Sequence, residues 1–208
     1  MPLIAKICGL SESDQIQTCI NYGASMCGYI LFYPKSHRNL NLDKAKELTS
    51  LKHSKSNVAV MVNPNNEDLE SIKDFNFHYY QIYGNQKPDE INDIKQKYKV
   101  KIIKALTVET KGDVLKYKIY EGVSDIILFD SKGYEQSLSF SHSLLNNVPK
   151  RVKKMIAGNI QTQDLEKISK MADIVDVSSA VETNKKKNLK KIKDFLLKVK
   201  EVNESRTI

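Results

Sequence analysis

Two side chains suited to proton transfer stand at the ends of apolar runs. Cys8 closes the run Leu3–Cys8, and Asp130 closes Ile126–Asp130. A thiol near its ordinary pKa of about 8.5 becomes a base or nucleophile once ionised. A carboxyl near 3.9 becomes a usable acid only when burial raises it. Arg38 is a third candidate, the one arginine among the first 150 residues of a lysine-rich chain. Its planar guanidinium binds a carboxylate through two parallel hydrogen bonds, which lysine cannot do. Each type also has a plainer use: free cysteine often fills a core, and a strand-end aspartate often caps a loop. Cys19, in a helical stretch, and Cys27, early in a strand, are read as core filler.

The elements that must position these groups are legible from periodicity. Eight short apolar runs recur: Leu3–Cys8, Met26–Phe32, Val58–Val62, His78–Ile82, Lys101–Leu106, Ile126–Asp130, Lys154–Ala157 and Ile174–Val177. Helical spacing lies between them, at Ser13–Tyr22, Leu42–Leu51, Glu67–Phe75, Pro88–Tyr98, Val108–Tyr120, Gln163–Met171 and Asn188–Val202, with a weak segment around Phe140–Leu145. Strands alternating with helices imply parallel pairing, and eight such units suggest a closed barrel. The expected fold is α/β, a (β/α)8 TIM barrel forming one domain over residues 1–208, with 203–208 a frayed tail. An open doubly wound sheet is the alternative, weakened by the lack of a GxGxxG after the first strand.

Parity then orients the side chains. Leu3, Ala5 and Ile7 share one face of the first strand and suit the helix layer. Ile4, Lys6 and Cys8 share the other and point into the barrel. Ile126, Leu128 and Asp130 do the same in the sixth. Barrel active sites lie at the carboxyl ends of the strands, so Cys8 and Asp130 converge on one mouth. Barrels often bind phosphate with backbone N–H groups after strands seven and eight, where Gly158-Asn159 and Ser179-Ala180 stand. Asparagine tolerates left-handed backbone, and Ala180 keeps its N–H while adding a methyl group.

Composition bounds the rest. The 208 residues are 40% hydrophobic and 28% charged, with a net charge of +8 carried almost wholly by lysine. The lysines are spread along helical stretches, with one dense run at Lys185–Lys187, and read as solvated surface rather than a nucleic-acid face. Three cysteines without CxxC spacing argue against a zinc site and a disulfide framework. There is no apolar run of about 18 residues and no signal peptide at the start, so the expectations are no membrane, no metal and a cytoplasmic protein.

In order and spacing, the motifs Lys6-Ile7-Cys8-Gly9-Leu10, Ser36-His37-Arg38, Gln81-Ile82-Tyr83-Gly84, Leu128-Phe129-Asp130-Ser131, Ala157-Gly158-Asn159 and Asp176-Val177-Ser178-Ser179-Ala180-Val181-Glu182 resemble the phosphoribosylanthranilate isomerase family over essentially the whole chain. The resemblance implies a metal- and cofactor-free Amadori rearrangement of a phosphorylated substrate in tryptophan biosynthesis. It makes Asp130 the general acid and Cys8 the general base. Arg38, Lys6, Gln81, Gly158, Asn159, Ser179 and Ala180 become the substrate-binding set. The role asked of Cys8 calls for a lowered pKa, with Lys6 or a substrate iminium as the cation, and that of Asp130 for a raised one. Monomer and homodimer both remain open.

The chain departs from the family in five places. Tyr83 replaces a histidine. Lys132-Gly133-Tyr134-Glu135-Gln136-Ser137 replaces a glycine-rich loop. Asn159 and Ala180 replace glycines, and Asn188 an aspartate. A sugar-phosphate epimerase or a histidine-pathway isomerase would instead want metal ligands or paired aspartates at strands one and five, where this chain has Cys8 and Lys104-Ala105-Leu106. A non-catalytic barrel protein is the remaining rival, since fold does not fix function.

Overall fold

A computed structural model describes residues 2–131 and 142–206. Eight parallel strands form the barrel: β1 (Ile4–Cys8), β2 (Met26–Leu31), β3 (Ser56–Val62), β4 (Tyr79–Tyr83), β5 (Lys101–Val108), β6 (Ile126–Ser131), β7 (Lys154–Ile156) and β8 (Ile174–Val177). They pair in the order β1-β8-β7-β6-β5-β4-β3-β2, and the β1–β2 pairing closes the ring. The closed α/β barrel expected from the eight runs is therefore present, and the open sheet is excluded. A short strand, Asn39–Leu40, also pairs with the end of β2.

Two apolar layers follow from strand parity. Cys8, Met26, Val58, Val60, Tyr79, Tyr83, Ile103, Ala105, Ile126, Leu128, Met155, Ala157 and Ile174 fill the barrel interior. Leu3, Ala5 and Ile7 join the outer layer, packed with helix residues such as Ile16, Leu48, Ile91 and Ile192. Every second residue of a strand faces inward, so one pattern builds both cores.

The helices start where their caps dictate. Asn41 caps Leu42–Thr49 by accepting from the Lys44 N–H, and Asn65 caps Asn66–Ser71 by accepting from Asp68. Pro88 opens Pro88–Tyr98 in the first turn, where its missing N–H costs nothing. The expected helix Val108–Tyr120 is two short pieces, Lys111–Leu115 and Tyr117–Tyr120, because β5 runs on to Val108. Gln163–Met171 contracts to a 3-10 turn and one α-turn, Leu165–Ile168. Part of the weak Phe140–Leu145 segment, and the Lys132–Ser137 loop, lie outside the described residues. His142–Leu145 forms a 3-10 helix.

Residues 203–205, at the start of the tail expected to be frayed, are helical. They end the last helix, Leu189–Ser205, which is capped by Asn188. Asn203 accepts from the Leu3 N–H at 2.7 Å and donates to the Leu3 carbonyl at 3.0 Å, tying chain end to chain start.

Candidate active site

The carboxyl ends of the strands surround a cleft of about 810 Å³, open space at its mouth included. Its lining holds Cys8, Asp130, Arg38, Gly158, Asn159, Ser179 and Ala180, seven of the nine residues selected from sequence. The other two, Lys6 and Gln81, have no exposed surface and lie beneath the floor. Both were expected among the substrate-binding residues, and neither is in the lining.

Lys6 lies inside β1 with its Nζ 2.9 Å from Asp176 Oδ2 on neighbouring β8. Burial alone would push this ammonium down, but Asp176 and Cys8 outweigh it and hold the pKa above its ordinary value. Gly28 leaves room for this pair, since a Cβ there would sit 3.0 Å from Lys6 Nζ and 3.1 Å from Cys8 Sγ. Burial pushes the Cys8 thiol up, with Lys6 and Lys187 opposing and Asp176 adding to the rise. The lowered thiol pKa expected from Lys6 therefore does not hold here, because desolvation is the larger effect.

Asp130 behaves as expected. Burial raises its carboxyl to about 6, against a hydrogen bond from Tyr83, with Asp176 adding to the rise and Lys6 opposing it. The Tyr83 hydroxyl donates to Asp130 Oδ2 at 2.8 Å, and Gln81 Nε2 donates to that hydroxyl at 3.2 Å. Parity explains the stack: Gln81 and Tyr83 are two apart on the inner face of β4.

Arg38 reaches the cleft from the loop after β2. Its Nε and Nη2 donate to Glu182 Oε1 and Oε2 at 2.6 and 2.8 Å. Glu182 also accepts from Lys187 Nζ at 2.7 Å, and against burial these two cations hold its carboxyl down to about 2. This carboxylate already takes one edge of the guanidinium and fixes its direction. Gly9, at φ +76°, is required beneath it, since a Cβ would fall 2.4 Å from Arg38 Cδ.

Lys187 corrects the reading of the lysine run as solvated surface. Asn184 and Lys185, both at positive φ, turn a hairpin that pairs Glu182–Thr183 with Lys186–Lys187. The hairpin buries the Lys187 side chain to 2% exposure against Glu182 and the Ser178 carbonyl. Sequence reasoning missed Asp176, Glu182 and Lys187 as parts of the site. Two of them lie in the Asp176–Glu182 motif, and parity with Lys6 was the signal available for Asp176.

The loops after β7 and β8 close the far end. Gly158 (φ +96°) and Asn159 (φ +46°) are both left-handed, so asparagine serves where glycine would. Their amides have no protein acceptor among the described residues. A 3-10 turn, Ser179–Val181, follows β8, and Ser178 Oγ donates to the Cys8 carbonyl at 3.0 Å. Among the described residues, no group of three or more His, Cys, Asp and Glu side chains could hold a metal ion. No described helix is long and apolar enough to cross a membrane.

Fold and site together define a (β/α)8-barrel enzyme whose cleft gathers a half-buried acid, a thiol and a clamped guanidinium. Residues 5–198 match the family N-(5'phosphoribosyl)anthranilate (PRA) isomerase. A relative named N-(5'-phosphoribosyl)anthranilate isomerase in Rhizobium rhizogenes is 33% identical over 202 residues, 91% of this chain and 90% of that protein. Its counterpart in Bacillus cereus is 33% identical over 206 residues, 94% and 97% of the two chains. The crystal structure of the Thermotoga maritima phosphoribosylanthranilate isomerase superposes with a TM-score of 0.86 at 26% identity, covering 96% of this chain and 99% of that one. A phosphoribosylanthranilate isomerase in complex with reduced 1-(o-carboxyphenylamino)-1-deoxyribulose 5-phosphate gives 0.83 at 25% identity, with the same coverage. The chain belongs to the phosphoribosylanthranilate isomerase family.

Proposed function

We propose that this enzyme converts N-(5'-phosphoribosyl)anthranilate into 1-(o-carboxyphenylamino)-1-deoxyribulose 5-phosphate in tryptophan biosynthesis, with Asp130 as general acid and Cys8 as general base. The observation that carries the assignment is that both groups line one cleft from different strands, the carboxyl raised to about 6. Asp130 gives its proton to the furanose ring oxygen as the C1–O bond breaks and C1 becomes an iminium. The Cys8 thiolate takes the proton from C2, and that electron pair forms the C1–C2 double bond of an enolamine. The enolamine becomes the ketone by losing its O2 proton and gaining one at C1. One acid and one base held near adjacent atoms meet both proton demands.

The ionic form required has Asp130 protonated and Cys8 ionised, the reverse of their order of pKa. Lys6, at the floor beside the thiol, supports the thiolate, and the iminium adds a second cation as the ring opens. In this reading Arg38, held from behind by Glu182, meets the anthranilate carboxylate with its remaining donors. The amides of Gly158, Asn159, Ser179 and Ala180 meet the phosphate. Loss of anthranilate-type fluorescence on mixing wild-type protein with phosphoribosylanthranilate tests the activity. The signal is expected to decay catalytically; a signal that decays only at the rate of buffer alone contradicts the assignment.

A further inference from the structure

We propose that Tyr83 is a positioning residue for Asp130, held in place by Gln81, and that it fixes which carboxyl oxygen carries the acid proton. The proposal rests on the reading of Asp130 as general acid. Tyr83 donates to Oδ2 at 2.8 Å. A carboxylic acid accepts on its carbonyl oxygen and donates from its hydroxyl. A donor fixed on Oδ2 therefore favours Oδ2 as the carbonyl oxygen and the proton on Oδ1, beside the backbone contact that Ser131 makes with the same carboxyl. Gln81 Nε2, itself only a donor, occupies the phenol oxygen at 3.2 Å and turns the phenol proton toward Asp130. Gln81 has no exposed surface and Tyr83 is 7% exposed, so water is a poor substitute for either contact.

The residue type matters. Burial, with the charge of Asp130 next, holds the Tyr83 phenol well above its ordinary range. The phenol thus stays neutral throughout the pH span in which Asp130 titrates, and it donates without adding charge. A histidine at this place would itself titrate near neutrality. Lys6 and Cys8 on β1 and Asp176 on β8 also act on Asp130 or Tyr83. The inner faces of β3, β5 and β7 present Val60, Ile103, Ala105 and Met155, with Ala157 just past the end of β7.

The test is Tyr83→Phe, read in two ways. The hydrogen bond favours the carboxylate, so its loss raises the Asp130 pKa, by roughly one unit. Carbon-13 NMR of the aspartate carboxyls, with the resonance assigned through Asp130→Asn, is expected to show that rise. The lower bend of the kcat/KM–pH profile is expected to move up with it, and kcat to fall while KM changes little, the lost orientation of the proton outweighing the larger protonated fraction of Asp130. Gln81→Met, which keeps the volume, is expected to move both readouts the same way by less, and it serves if Tyr83→Phe does not fold. An unchanged Asp130 titration overturns the positioning role. A titration that moves while the kinetic bend stays also overturns the proposal, and locates the failure in the acid assignment instead.

Discussion

At the scale of single residues, the site depends on charges that fix one another. Glu182 holds the Nε–Nη2 edge of Arg38, the residue proposed to meet the substrate carboxylate. Arg38→Lys is expected to raise KM strongly with little loss of thermal stability, because the fork geometry disappears. Glu182→Gln is expected to raise KM by a smaller factor; steady-state kinetics with a melting curve checks both. Under the proposed assignment, Asp130 and Cys8 set the pH dependence, and the active form has Asp130 protonated and Cys8 ionised. Its population rises with pH up to the Asp130 pKa, stays flat to the thiol pKa, and falls beyond it. The kcat/KM profile is therefore expected to bend near pH 6 and again in the alkaline range, where burial has pushed the thiol. A profile still rising steadily from pH 6 to 9 would remove Asp130 from the mechanism.

At the scale of elements, the strands were legible and the connections between them less so. Alternation along β1 and β6 locates Cys8 and Asp130 on inward faces because a strand has a period of two and one residue decides the face. The same rule on β8 pairs Asp176 with Lys6. No comparable rule exposes the 182–187 hairpin. It depends on two left-handed residues, Asn184 and Lys185, and lysine is an uncommon type there, so the segment reads as solvated charge. The loops after β7 and β8 carry their own test. Gly158→Ala sets a Cβ 2.4 Å from Ser131 Oγ at φ +96°, so it is expected to weaken inhibition by inorganic phosphate and to lower stability by roughly 1–3 kcal/mol. Ala180→Gly leaves the backbone donors in place. It is expected to keep turnover and, if anything, to tighten competitive inhibition by phosphate; a large loss of turnover would show that the methyl group is needed there.

At the scale of the whole molecule, ring closure ties the two ends of the chain together. β1 is paired on both sides, and Asn203 bonds both backbone groups of Leu3. Asn203→Ala is expected to cost about 1–3 kcal/mol and to lower Tm by roughly 2–4 °C per kcal/mol, with kcat and KM unchanged. That anchor was not legible, because an asparagine near a helix end gives no sign of a partner 200 residues away. The barrel itself was legible because eight units repeat one pattern. In the proposed function, one acid and one base at the mouth of this barrel carry the reaction. The measurement that tests it most directly is turnover of phosphoribosylanthranilate by Cys8→Ala and by Asp130→Ala, each shown by circular dichroism to be folded. Both are expected to lose about 10²–10⁴-fold or more in rate. A folded Cys8→Ala protein turning over at the wild-type rate would contradict the account.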